Sequence, residues 1–255
     1  MIFVYLLTII LGLVVGSFLN VLIYRVPLGK NIAFPASHCP NCKAQLRWYD
    51  NIPVLSWLML GGRCRYCKNP ISPVYIIVEI LNMLLWLVCV FVFWKTSIVL
   101  AVAFALISSI LIVITFIDFK HKWIPDRFQI ALLVLGVVVA IFGPLGWQTH
   151  LIGLFVGGGI LLAFYGIGRL VFKREALGIG DIKLMAVCGL ILGWQGVILA
   201  LILGSVVGAV SCLILRALSK TGEVEFAFAP YLALGTVIAM FFGQDIIGLY
   251  LSLFV

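Results

Sequence analysis

Apolar runs long enough to cross a bilayer recur along almost the whole chain, near 2–24, 75–94, 98–117, 128–145, 150–172, 197–215 and 230–253, with a shorter one near 182–193. A hydrocarbon core of about 30 Å takes roughly 20 helical residues to cross, and inside it only helices or closed barrels satisfy the backbone. These runs are continuous rather than alternating, so they predict an all-α polytopic membrane protein of about eight transmembrane helices. With 64% hydrophobic residues, 10% charged residues and a mean hydropathy of +1.26, no soluble core of this size fits. The first run has no basic residues before it and no small-residue cleavage site ahead of a polar chain. It reads as a retained helix rather than a cleaved signal.

Charge sets the orientation. A net charge of +8 in a soluble protein would suggest nucleic acid, but in a membrane protein lysine and arginine mark cytoplasmic loops, and no nucleic-acid partner is expected. Eight crossings with the amino terminus outside place 25–74, 118–127, 173–181 and 216–229 on the cytoplasmic side. Every Lys and Arg except Lys95 then lies in or beside an inner segment, Lys173, Arg174, Arg216 and Lys220 included. The short run Ile182–Gly193 reaches only about 18 Å as a helix, and length alone would allow a re-entrant loop. A re-entrant loop, however, would carry Arg216 and Lys220 outside, so the charges favour a short crossing.

The polar segment between the first two long spans carries Cys39, Cys42, Cys64 and Cys67 as CPNC and CRYC. Two C-x₂-C clips at this separation have the spacing of a tetrahedral zinc site. Four thiolates fill the shell and leave no open position, so the metal is expected to be structural. In a reducing cytosol a disulfide reading is disfavoured. Cys89, Cys188 and Cys212 fall within apolar spans and read as small buried hydrophobes.

Two acids sit at one membrane border by this topology. Asp118 ends an apolar run, and Asp181 opens the short one after Gly178-Ile179-Gly180. Two close carboxylates cannot both ionise cheaply, so one holds a proton while the other activates water, the arrangement of an aspartic protease. Gly178 and Gly180 are expected to give the backbone unusual turn geometry and to let an extended substrate approach. Taken singly, each aspartate also reads as an ordinary helix-end residue near Lys120, Lys122 or Lys183. Asp126, in Ile124-Pro125-Asp126, reads as a helix start.

In combination these residues resemble the bacterial type IV prepilin peptidases, membrane aspartic proteases of the GxGD kind. The likeness rests on Gly16-Ser17-Phe18-Leu19-Asn20-Val21 running into Tyr24-Arg25, the paired clips with Trp48-Tyr49-Asp50-Asn51-Ile52-Pro53 between them, and Ile71-Ser72-Pro73 leading to Glu79. It continues through Asp118, Ile124-Pro125-Asp126, Gly178-Ile179-Gly180-Asp181 with Lys183, and Ala229-Pro230-Tyr231. The resemblance implies cleavage of the basic leader of prepilins or pseudopilins at the cytoplasmic face of the bacterial inner membrane. Asp118 and Asp181 would be the catalytic pair, and the four cysteines would hold zinc. It also implies methylation of the new amino terminus from S-adenosylmethionine. No G-x-G-x-x-G loop supports a Rossmann-type donor site, and the donor-binding residues stay unassigned. Gly16, Ser17, Phe18, Asn20 and Glu79 are candidates. Gly16 and Ser17 serve equally well as a packing step between helices, and Glu79 as a helix-start acid.

The expected division is a first transmembrane helix (1–24), a cytoplasmic zinc loop (25–74) and a membrane protease domain (75–255), embedded in lipid. The chain departs from the family pattern at Glu175-Ala176-Leu177 and at Ala229, where relatives often carry glycine. Two rival readings are a membrane scaffold with a zinc docking loop and a proton-coupled transporter. A transporter's acids would be expected near mid-bilayer rather than at one face.

Overall fold

The apolar runs become helices because intrahelical bonds are what a bilayer leaves the backbone. The structure, a computed structural model, describes residues 2–172, 177–219 and 226–253. Lys173, Arg174, Glu175, Ala176 and Lys220, used in the sequence reading, lie outside the described residues. The helices are α1 (Ile2–Arg25), α2 (Leu55–Met59), α3 (Val74–Phe93), α4 (Ile98–His121), α5 (Asp126–Phe142), α6 (Trp147–Phe172), α7 (Ile179–Leu218) and α8 (Ala229–Ser252). Among the described residues there is no strand, only two isolated antiparallel bridges, His38 with Gln45 and Arg63 with Pro70.

Among the described residues six helices (α1, α3, α4, α6, α7 and α8) are long and apolar enough to span a membrane. Helix α7 is two helices joined at Gly193, whose φ of 75° and ψ of 173° are not helical. Counting its two halves separately and adding the 17-residue α5 gives the expected eight. The short run begins earlier than predicted, at Ile179, because Gly178 rather than Asp181 is the N-cap.

The chain divides into two compact units, Met1–Val113 and Ile114–Val255. In the first, α1 and α3 pack nearly backbone to backbone. A Cβ on Gly16 would lie 2.8 Å from Glu79 Cα, and one on Gly12 would lie 2.9 Å from Met83 Cα. Small residues allow this approach, and polar groups lock it. Asn82 Nδ2 donates to the Gly12 carbonyl at 2.7 Å, Ser109 donates to Asn82 Oδ1 at 2.7 Å, and Trp86 Nε1 donates to Ser109 at 2.9 Å.

In the second unit α6 and the first half of α7 touch through glycine. A side chain on either Gly153 or Gly189 would collide with the carbonyl oxygen of the other. Gly157 meets Met185 from before the Gly193 break and Val197 from after it, so both halves of α7 fold over the same stretch of α6. The second half then packs on α8, where a Cβ at Gly204 would lie 2.8 Å from the Tyr231 carbonyl oxygen.

Candidate functional site

Asp118 lies in the last turn of α4 and is 6% exposed. Its carboxylate lies within electrostatic reach of the backbone amide of Ala229, at the start of α8, and of Lys122. Asp181 sits in the first turn of α7, and Asp118 acts on it through space. The two acids, far apart in sequence, are therefore neighbours, each delivered by the end of a different helix. The helix-end alternative for Asp181 loses its partner, because Lys183 pairs with Asp126 at 2.8 Å instead. Asp126 is exposed and opens α5, as its Pro-Asp context predicts. Ala229, a departure from the family pattern, supplies a backbone amide that needs no particular side chain.

The glycines before Asp181 do not adopt the unusual geometry expected of them. Gly178 has φ −75° and ψ 138°, open to any residue. Space is the constraint instead. A Cβ on Gly178 would lie 3.1 Å from Asp181 Oδ2, and one on Gly180 would lie 3.3 Å from Ile124 Cβ. The Gly180 carbonyl accepts from Gln129 Nε2 at 3.2 Å. The Gln129 amide oxygen is buried with no partner among the described residues. Sequence reading did not find this bond, since a lone glutamine in an apolar run carries no local signal.

In the first unit the four cysteine sulfurs lie within 4.8 Å of one another. Cys39 and Cys67 Sγ are 3.9 Å apart, close to the roughly 3.8 Å that tetrahedral Zn–S bonds of about 2.3 Å require. Each clip is a tight turn of the same form. Lys43 N–H donates to the Cys39 carbonyl and Cys39 N–H to Ala44; Lys68 N–H donates to Cys64 and Cys64 N–H to Asn69. Lys43 and Lys68 both have a φ of 59°. The turns aim amide donors at sulfur. The amides of Cys42 and Asn41 hold the Cys39 thiol below its ordinary range, and the Asn69 amide, assisted by the Asn41 side chain, brings Cys67 down to about 6. Against the Ala44 amide, Cys42 is pushed the other way, up to about 11, by burial and by the thiols crowded around it. Four sulfurs this close, two of them favoured as anions, fit a divalent metal.

Asp50, between the clips, is buried and accepts from Arg65 Nε and Nη2 at 2.9 and 2.7 Å and from the Arg47 amide at 3.3 Å. Burial pushes its carboxyl up, but these donors more than offset it and hold the group below the usual carboxylate range. The pair ties the second clip to the turn before α2.

Residues 10–93 match the Bacterial Peptidase A24 N-terminal domain, and residues 105–213 match the Type IV leader peptidase family. A type 4 prepilin-like proteins leader peptide-processing enzyme of Escherichia coli is 38% identical over 90% of this chain and 91% of its own length. The chain belongs to the type IV leader peptidase family. Two further members are similar across nearly all of both chains. Prepilin leader peptidase/N-methyltransferases of Stutzerimonas stutzeri and Pseudomonas aeruginosa are each 35% identical, covering 95% and 96% of this chain and 92% of each relative. No solved structure matches. Membership makes the chain a membrane peptidase and favours that reading over the scaffold and the transporter.

Proposed function

We propose that this leader peptidase cuts the short basic leader from type IV prepilins or pseudopilins and then methylates the new amino terminus. The observation that carries the peptidase half is the pairing of Asp118, at the end of α4, with Asp181, at the start of α7. One carboxylate takes a proton from a water as that water attacks the scissile carbonyl. The other protonates the departing amine. Gly178 and Gly180 keep the approach beside Asp181 free of side chains, so an extended backbone can lie there.

The positive-inside pattern supports an outer amino terminus and an active site at the cytoplasmic face of the bacterial inner membrane. There the leader junction of a substrate still anchored by its apolar helix reaches the aspartates. Within the proposed division, 1–24 is the first membrane helix, 25–74 the cytoplasmic zinc loop and 75–255 the protease domain. Zinc on Cys39, Cys42, Cys64 and Cys67 supplies folding energy to the loop and no chemistry, since its shell is full. S-adenosylmethionine is the proposed methyl donor, in keeping with the relatives' names.

Purified enzyme incubated with a prepilin tests the reading by leader loss on a gel. Asp118→Asn and Asp181→Asn should each abolish processing; retention of wild-type processing by both would remove these aspartates from catalysis.

A further inference from the structure

The first unit holds a cavity of about 580 Å³, within the roughly 300–1,000 Å³ common for small-molecule sites. It lies between the ends of α1 and α3 and the cysteine loop, and it contains neither aspartate of the peptidase pair. Four polar residues that fold into its wall are buried: Asn20, Arg25, Asp50 and Glu79. Two of the three charges among them are already answered. Asp50 is paired with Arg65, and Arg25 donates to the carbonyls of Asn31, Ile32 and Pro35 at 3.0, 3.3 and 2.7 Å.

Glu79 differs. Its Oε2 accepts the Val54 amide at 2.7 Å, and the Ser17 hydroxyl lies in reach, but no salt bridge among the described residues involves it. Val54 is held at a φ of 62°, a region that β-branched residues rarely adopt. Such strain persists where the surroundings impose it, often at ligand sites. Lys30, whose ammonium lies 5.4 Å from the centre of the Tyr24 ring, and Arg65, held by Asp50, also line the cavity, but among the described residues neither pairs with Glu79. A buried carboxylate without an ion-pair partner favours a cationic group placed beside it. The rest of the wall suits a flat apolar body. Tyr24, Tyr75 and Trp57 line it, and Trp57 is fixed by its packing on Gly62, where a Cβ would lie 2.8 Å from the ring.

A sulfonium joined to an adenine combines these two properties. We propose that this cavity is the S-adenosylmethionine site and that Glu79 answers the sulfonium charge. The site rests on the methyl-transfer reading given above. Bound there, the donor supplies a methyl group to an unprotonated amine: the C–N bond forms as the C–S bond breaks, and sulfur keeps that electron pair as a neutral thioether. Glu79 binds and orients; the aspartate pair takes no part.

The test is calorimetry on the full chain in detergent with two probes, sinefungin, whose amine is a cation at the sulfonium position, and S-adenosylhomocysteine, which is neutral there. Wild type should bind both. Glu79→Gln should weaken sinefungin by about tenfold or more and S-adenosylhomocysteine by less than about threefold, with zinc content unchanged as the check on folding. Tyr24→Lys, which leaves the Glu79–Val54 bond in place, should discriminate in the same direction and stands in if Glu79→Gln loses its zinc. Equal losses for the two probes, or none, would overturn the assignment. Mass spectrometry of pilin processed by wild type separates the two readings. Methylated pilin with undiscriminating variants means only this site is wrong, whereas unmethylated pilin and no probe binding overturn methyl transfer and this site together.

Discussion

The cysteine loop and the aspartate pair are assembled in opposite ways. Each clip is made by neighbours in sequence, with turns at Lys43 and Lys68 that close within a few residues and turn amides toward sulfur. The aspartates meet only because α4, α7 and α8 end together, with the Ala229 amide at Asp118 and Gln129 holding the Gly180 carbonyl. A locally built site tolerates change elsewhere in the fold. A site assembled from distant helix ends is sensitive to small displacements of any of them, because a misplacement of about 1 Å can cost about 10²-fold in rate.

The largest separation of the two regions should come from the aspartates. Asp118→Asn or Asp181→Asn is expected to lower leader cleavage by roughly 10²–10⁴-fold, with zinc content by mass spectrometry unchanged. Loss of metal in either variant would mean the regions are not independent. The reverse experiment is replacement of Cys39, Cys42, Cys64 and Cys67 by serine. Bound zinc should fall to zero and residues 25–74 should become sensitive to limited proteolysis, while cleavage falls less than in the aspartate variants.

A smaller effect is expected of Gly178→Ala. Its Cβ would crowd Asp181 Oδ2 at 3.1 Å without changing any charge. Cleavage should drop by about tenfold, the scale of a 1.4 kcal/mol cost, and wild-type kinetics would show that the carboxylate yields freely. The mildest is Asp50→Asn, which removes the charged partner of Arg65 and should cost about 1–3 kcal/mol of loop stability. Because the folded-state pKa of Asp50 is depressed, its contribution is present above the ordinary carboxylate value of about 3.9 and is lost as pH falls through the folded value. Acid titration of loop proteolysis should therefore show a transition in wild type that the Asn variant lacks.

Much of this was legible in the sequence, for reasons that differ by region. The clips were readable because C-x₂-C is a local pattern with one dominant chemistry. The aspartates were readable only through topology, since the parity of crossings places Asp118 and Asp181 at one border. Gln129 was not readable in role, and Glu79 was readable only as one of several donor-site candidates. Each makes a long-range bond, to Gly180 and Val54, and neither bond leaves a periodicity. The early start of α7 was missed for a related reason. Gly180 is a poor helix former, yet close packing on Ile124 keeps it in the first turn.

The break at Gly193 also fixes phase. A single residue joins the two halves of α7, so there is no linker in which an added residue can be absorbed. One insertion beside it would turn the second half by about 100°, carrying Gly204 away from Tyr231 and replacing a glycine contact with a side chain. The same insertion in the turn at 94–97 between α3 and α4 meets no such constraint. The point in this chain least tolerant of length change is thus a glycine at the far end of its helix from the proposed chemistry, held there by the arithmetic of the helix.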